Sequence, residues 1–417
     1  YANFQELGMP ALLGWNHERF AAYFSTPSSY PSVGADSLVA LHNPNRMLRS
    51  ASPAAVEVEK GVGRLYASLL GIPDEHEPQV YHSASESHLH ATLVAISTKV
   101  PDFRSSGLLG KRLVMYTSEL GHFFANKNAV AVGLGESAVR LIPTNEEGQM
   151  SMPALTEAIR KDKQNGLEPL MVIATVGTTS ITSVDPVEVI SGICRSEDVF
   201  LYVDAAYGGG FACLPERAYI RAGWDEADAI CVNPHKTLSV PQGCSFLFIR
   251  DRERLRKICD HRGEYVPSAN AEEDPMSYTL SCGLRFNTLA SLFQMMTMGR
   301  SGCEQQLRAV AKLASITADL VAESRDFKLL RRPEFGVVCF RPTLLGDPLA
   351  EDTLVKAVCE RIRKSGAFWI FPTDYQGRSW FRLAFGHPDT TPQLAAELIS
   401  TIRQHYHELT MTHYLRS

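Results

Sequence analysis

The sequence predicts an α/β fold built on a mostly parallel sheet. Short apolar runs alternate with helical periodicity between about residues 80 and 250. Strands that are apolar throughout belong to sheets covered by helices on both faces. Small, polar or charged residues cluster just past several of these runs, at Leu120-Gly121-His122, Gly177-Thr178-Thr179, Asp204 and Lys236. Ligands of such sheets sit at the carboxyl ends of strands. After about residue 290 a long helical stretch and a few separated strands predict a smaller α+β domain.

Taken in order, residues 1–30 are aromatic and rich in turn formers, which predicts an extended arm leading into the loop Thr26-Pro27-Ser28-Ser29-Tyr30-Pro31. Ser52-Pro53 opens a helix with Ser as N-cap and Pro in the first turn, and Gly71 with Pro73 ends it. Strands are predicted at 113–117, 170–176, 199–203, 229–232 and 245–249, and helices at 86–99, 153–162 and 186–196. Residues 260–282 are polar and irregular, as expected of a mobile lid. Further strands are predicted near 336–341 and 379–385, and a closing helix from Pro392. The expected organisation is an arm over 1–50, a large domain over 51–289 and a small domain over 290–417.

Composition narrows the function classes. The 417 residues are 45% hydrophobic and 21% charged, an ordinary globular balance. The formal net charge of -5, with no Lys/Arg run, argues against nucleic acid as a partner. Nine scattered cysteines form no C-x-x-C pair, which argues against a zinc site or disulfide framework and for a reducing cytoplasm. No 18-residue apolar run suggests a membrane span.

The chemistry concentrates between Val203 and Leu238. Asp204 ends one apolar run, and Lys236 follows another 32 positions on. A carboxylate for a pyridinium nitrogen and a lysine that forms an imine are the groups pyridoxal 5'-phosphate (PLP) chemistry needs. Alone, Asp204 has a rival reading as a turn cap, and Lys236 reads more readily as a solvated surface residue. Gly208-Gly209, which permit close approach, and Pro234-His235 before the lysine favour the cofactor reading. Ser83-Ala84-Ser85 precede a helix whose N-terminus would hold a phosphate. His122 could lie over the cofactor ring, and Thr178-Thr179 could reach its substituents. His88 and His90 are two apart and share no helix face, which argues against metal binding with His82.

These residues resemble the group II PLP-dependent amino-acid decarboxylases, fold-type-I enzymes that include aromatic-L-amino-acid decarboxylase and glutamate decarboxylase. The resemblance runs through nearly the whole chain. Its specific parts are Ser83-Ala84-Ser85-Glu86, Ala174-Thr175-Val176-Gly177-Thr178-Thr179, Val203-Asp204-Ala205-Ala206-Tyr207 and Asn233-Pro234-His235-Lys236. It implies an aspartate-aminotransferase-like fold with a mostly parallel seven-stranded sheet. It implies Lys236 as the imine lysine, Asp204 at the ring nitrogen, and His122 and Ala206 on the two ring faces. Ser83, Ala84, Ser85 and Asn233 would serve the phosphate, Thr179 the cofactor hydroxyl and Asp204, and His235 would be the family's histidine before the lysine. Tyr265 resembles the loop tyrosine that returns a proton to Cα. Trp15, Tyr23 and Thr26 resemble substrate-pocket residues of the aromatic branch. Arg382 resembles a small-domain arginine that contacts substrate carboxylate in glutamate decarboxylase relatives.

Three departures bear on the substrate. Thr237 stands where the aromatic enzymes usually carry Trp, Arg46 and Arg49 bring charge to an expected aromatic wall, and Leu284 replaces an arginine. The family's N-terminal helices, which swap between subunits, are expected either to precede Tyr1 in a longer protein or to be naturally absent. The resemblance implies a homodimer with active sites at the subunit interface that decarboxylates an L-amino acid, with hydrophobic or aromatic substrates favoured. The rivals are an oxidative aldehyde-forming enzyme, which Tyr265 opposes, a decarboxylase of acidic or aliphatic amino acids, an aminotransferase, and a non-catalytic homologue.

Overall fold

The computed structural model describes residues 12, 14–24, 26–264, 266, 271–343 and 348–414. The chain divides into two compact units, one formed by Ser29–Leu307 and the other by the residues up to Ser28 together with Arg308–Ser417. This division differs from the expected segments. Ala21 donates to the Trp369 carbonyl at 2.9 Å and accepts from Ala384 N–H at 3.0 Å, so the arm before Ser29 is stitched into the smaller unit. The other boundary falls within the helix Thr288–Ala322, which shows no break at residue 290 and one non-helical residue at Gly299.

The larger unit holds seven strands: β1 (Glu77–Tyr81), β2 (Leu113–Ser118), β3 (Val139–Ile142), β4 (Glu168–Thr175), β5 (Phe200–Asp204), β6 (Ala229–Val232) and β7 (Ser245–Ile249). They lie in the order β1-β7-β6-β5-β4-β2-β3. β6, β5, β4, β2 and β3 are parallel, and β7 runs antiparallel to both β6 and β1. Every residue of β2, β5, β6 and β7 is buried, which explains their largely apolar sequences, polar only at strand ends. β1 and β3 are the edge strands, and their partly exposed, polar-interrupted sequences hid them from pattern reading. Pro78 sits on the β1 edge, where a missing N–H is tolerated.

The helix Ala84–Lys99 packs on β7, β6, β5 and β4. It is buried nearly all round, including Ser87, His88 and His90, and therefore has no polar stripe. The loop expected over residues 26–31 gives way to a helix, Tyr30–His42, with Ser29 as N-cap and Pro31 in the first turn. The expected cap at Ser52 is geometrically in place, but its hydroxyl donates to the Asn45 carbonyl instead of capping. Arg46 is buried, ion-paired to Glu59 at 2.9 Å, and donates to the Arg285 and Val80 carbonyls. Arg49 pairs with Glu57 and Glu273. Both arginines therefore serve as structural anchors, which removes the case for a charged pocket wall.

The smaller unit carries an antiparallel sheet of β8 (Phe327–Leu329), β9 (Val337–Pro342), β10 (Phe371–Tyr375) and β11 (Arg378–Ala384), ordered β10-β11-β9-β8. The helices Pro348–Ser365 and Pro392–Tyr414 pack with it around Phe340, Ile362, Phe381 and Ile402. Among the described residues no helix is long and apolar enough to cross a membrane.

His88 is fully buried against the rings of Phe124 and Tyr202. Its Nδ1 lies 2.8 Å from Asn128 Nδ2, and burial pushes its pKa down to about 3, with His122 adding to the shift. An unfolded histidine titrates near 6.5. Its stabilising contribution is therefore complete above pH 6.5 and is lost as pH falls toward 3. His88→Gln, which keeps an acceptor for Asn128, should shrink the stability loss between pH 7 and 4 by roughly 3 kcal/mol. Urea titrations at the two pH values measure this, and an unchanged acid loss counts against it.

Candidate active site

The sheet topology gathers the sequence-selected residues along one edge. β1, β2, β4, β5 and β6 run in one direction and β7 in the other. The residues after β1, β2, β4, β5 and β6 and the start of β7 therefore emerge together. They are Ser83–Ser85, His122, Thr178-Thr179, Asp204–Ala206, Asn233–Lys236 and Ser245.

Asp204 is buried at the end of β5, in register with Thr175 and Cys231. Its Oδ1 accepts the Ala206 N–H at 3.2 Å, and its carbonyl accepts from Val176 N–H at 2.8 Å. These bonds fix the carboxylate by backbone. The chain then passes through a glycine turn that tolerates no side chain. A Cβ on Gly208 would stand 2.4 Å from the Val176 carbonyl, and one on Gly210 would stand 2.2 Å from Thr237 Oγ1. Asn233 N–H in turn donates to the Ala206 carbonyl at 3.2 Å. The lysine segment is thus tied directly to the aspartate segment.

Lys236 lies in the single turn Pro234–Thr237, its N–H bonded to the Asn233 carbonyl at 3.0 Å. Burial lowers its pKa, while the charge of Asp204, and less so Cys231, opposes the shift. His122 is lowered by burial too, with Asp204 raising and Lys236 lowering its pKa. Asp204, Lys236 and His122 therefore share one electrostatic neighbourhood. His122 Nδ1 accepts from Phe124 N–H at 3.2 Å, and its ring stacks on those of Phe123 and Phe124.

The helix Ala84–Lys99 opens on a Ser83 N-cap, with Glu86 reaching back to the residue before it. Ser83 Oγ accepts from Glu86 N–H at 3.3 Å, and Glu86 Oε2 accepts from His82 N–H at 2.9 Å. The first-turn N–H groups of Ala84 and Ser85 have no intrahelical acceptor and suit an anion. Asn128 Nδ2 holds the Ser85 carbonyl at 2.8 Å. Thr178 Oγ1 turns to Ser183 Oγ at 2.8 Å, and Thr179 follows in the same turn. Of the other histidines, His90 faces the Glu86 carbonyl and the Leu280 N–H. Tyr265 lies outside the described residues.

This donor set fits PLP. A desolvated amine sits beside a fixed carboxylate, a helix N-terminus of small residues opens at the same edge, and the buried Thr175 Oγ1, level with Asp204, has no hydrogen-bond partner among the described residues. Asp185 backs this edge. Its carboxylate accepts from Thr175 N–H at 2.8 Å and Met150 N–H at 2.7 Å. Burial, with the Asp204 charge a lesser cause, pushes its pKa up to about 6. Sequence reasoning missed Asp185, Asn128 and Ser245 and weighed His88 only for metal binding, because their partners lie far along the chain.

The proposed substrate residues Trp15, Tyr23, Thr26 and Arg382 all belong to the smaller unit. Trp15 and Tyr23 stack at 5.1 Å with an interplanar angle of 8°. Arg382 donates to the Tyr23 carbonyl at 3.0 Å and lies over the Phe24 ring at 4.9 Å. It thus holds the segment that carries two of these residues.

A model of the pyridoxal-dependent decarboxylase conserved domain matches residues 1–343. Aromatic-L-amino-acid decarboxylase of Cavia porcellus is 31% identical over 84% of this chain and 76% of its own length. Histidine decarboxylase of Mus musculus is 28% identical over 94% of this chain, which spans only 61% of that protein. The crystal structure of Oryza sativa TDC with PLP and tryptamine superposes with a TM-score of 0.93 at 25% identity, covering 98% of this chain and 87% of that one. The chain belongs to the pyridoxal-dependent decarboxylase family, the PLP-dependent carboxy-lyases of amino acids.

Proposed function

We propose that the protein decarboxylates an L-amino acid to its amine and CO2, with a hydrophobic or aromatic substrate preferred. The observation that carries this reading is the placement of Asp204, His122 and Lys236 at the carboxyl edge of the sheet, with the lysine turn tied to the aspartate segment by the Asn233 N–H bond to the Ala206 carbonyl. Bound there, PLP supplies the electron sink for the pair released when the bond from Cα to the carboxylate breaks. Lys236 would hold the cofactor covalently, Asp204 its ring nitrogen, and Ser83, Ala84, Ser85 and Asn233 its phosphate. His122 and Ala206 would flank the ring, with Thr179 beside its hydroxyl.

The protein's own groups are suited to these tasks. Burial favours the neutral, nucleophilic amine of Lys236. The Asp204 carboxylate, held in a fixed orientation by the Ala206 N–H, would face the ring nitrogen and hold a proton there. His122 accepts at Nδ1, which leaves the proton on Nε2 as a donor toward the substrate carboxylate. Tyr265 would return a proton to Cα. The stacked Trp15–Tyr23 pair offers a flat apolar surface, and the names of the relatives point to aromatic and imidazole side chains. A homodimer is supported by Tyr30, Val33, Leu38 and Leu41, which one helix leaves exposed. Nine free thiols, eight of them buried, support a cytoplasmic location.

CO2 release across the amino acids tests the substrate preference, and release confined to acidic ones would reject it. Lys236→Ala should abolish both turnover and the visible absorbance of covalently held PLP. A mutant spectrum equal to wild type would overturn the cofactor reading.

Asp204→Asn should lower kcat by on the order of 100-fold or more, a scale set by loss of about 3 kcal/mol of charge stabilisation. It should also move the pH midpoint for trapping PLP on Lys236 downward, because Asp204 raises that amine's pKa. A near-normal kcat with an unmoved midpoint counts against the role. Tyr265→Phe should shift product from amine toward aldehyde with O2 uptake, read with an oxygen electrode. An unchanged product would remove the proton-donor role.

A further inference from the structure

We infer that Ser245 and Ser87 are positioning residues that lock the Asn233 amide and the His235 ring of the lysine turn into one orientation. The inference rests on the reading of that turn as part of a PLP site and adds to it two residues that touch no cofactor.

The polarity of the network follows from its one fixed end. His235 Nδ1 lies 2.7 Å from the Cys244 carbonyl oxygen, which can only accept, so Nδ1 carries the proton. Burial and then the Lys236 charge push the His235 pKa down to about 4, with His82 adding to the shift, so Nε2 is bare at neutral pH. Asn233 Nδ2 lies 3.4 Å from that Nε2 and is the donor. The amide oxygen then faces the other way and accepts from Ser245 Oγ at 2.7 Å. With its proton used, Ser245 Oγ accepts from Ser87 Oγ at 2.9 Å. The Cys231 thiol, 3.5 Å from Ser245 Oγ, is pushed up to about 11 by burial and stays protonated.

Ser87 and Ser245 are fully buried, and Asn233 nearly so. Ser87 belongs to the helix that begins at Ala84, Ser245 begins β7, and Asn233 precedes Lys236 by three residues. The relay therefore joins the helix offered to the phosphate to the turn that carries the lysine. It also decides which end of the Asn233 amide meets an anion. One amide N–H goes to His235 and the second is kept for the phosphate. A flipped amide would present its oxygen there and repel it.

The test uses the full chain with and without PLP. In Ser245→Ala the amide oxygen loses its hydroxyl donor and keeps only the weaker Cys231 thiol at 3.7 Å, so the amide can rotate and place its oxygen against His235 Nε2, which favours the imidazolium. The His235 midpoint, followed by NMR of the 15N-labelled ring in the PLP-free chain, should rise by about a unit or more toward its ordinary value near 6.5. The facing groups Lys236 and His82 are unchanged by the substitution. The PLP dissociation constant should rise roughly tenfold, the scale of one charge-assisted hydrogen bond. Ser87→Ala should move both quantities in the same direction by less, and it decides the matter if Ser245→Ala does not fold. A folded variant with wild-type melting and an unmoved His235 midpoint overturns the inference. A wild type that binds no PLP overturns the cofactor reading instead, and the His235 titration still decides the relay.

Discussion

The site depends on one half-buried amine beside one carboxylate. Burial disfavours the charged form of Lys236, and Asp204 opposes that shift. The balance makes the amine reactive without leaving an uncompensated buried ion. Much of the neighbouring backbone serves this pairing. The Ala206 N–H clamps the carboxylate, and its carbonyl receives the Asn233 N–H. A glycine at 208 lets the chain close to within bonding distance of Val176, where a methyl group would strike the carbonyl at 2.4 Å. Each contact is short-range, so the geometry is set by chain path rather than by flexible side chains.

What was legible in the sequence was local. Asp204 and Lys236 sit at the ends of all-apolar strands, and those strands are buried along their whole length, so pattern and position agreed. The helix start after Ser83-Ala84-Ser85 was equally local, and the helix begins at Ala84, within two residues of the expected 86. The edge strands β1 and β3 were missed because partial exposure admits Glu77 and Arg140 into their sequences. The helix at Tyr30 was missed because Pro27, Ser28, Ser29 and Pro31 read as a loop, although Ser29 and Pro31 are also a helix start.

Interactions between remote positions were not legible. Ser87 meets Ser245 across 158 residues, and Asn128 reaches Ser85 across 43. No spacing rule connects such pairs. Arg46 misled for the same reason. Its charge looked available in sequence, but Glu59 and two backbone carbonyls engage it inside the fold. A charge counted along a chain is not a charge felt by a ligand until its partners are known.

The reversal of β7 has a consequence of its own. A parallel neighbour to β6 would require a crossover that carries the chain to the far side of the sheet and back. Because β7 returns directly, the whole link from Asn233 to Cys244 stays on a single rim. Changes after the lysine turn, between Leu238 and Cys244, can vary this rim without threading new chain through the interior, so the turn that carries Lys236 can stay in place while its surroundings diversify.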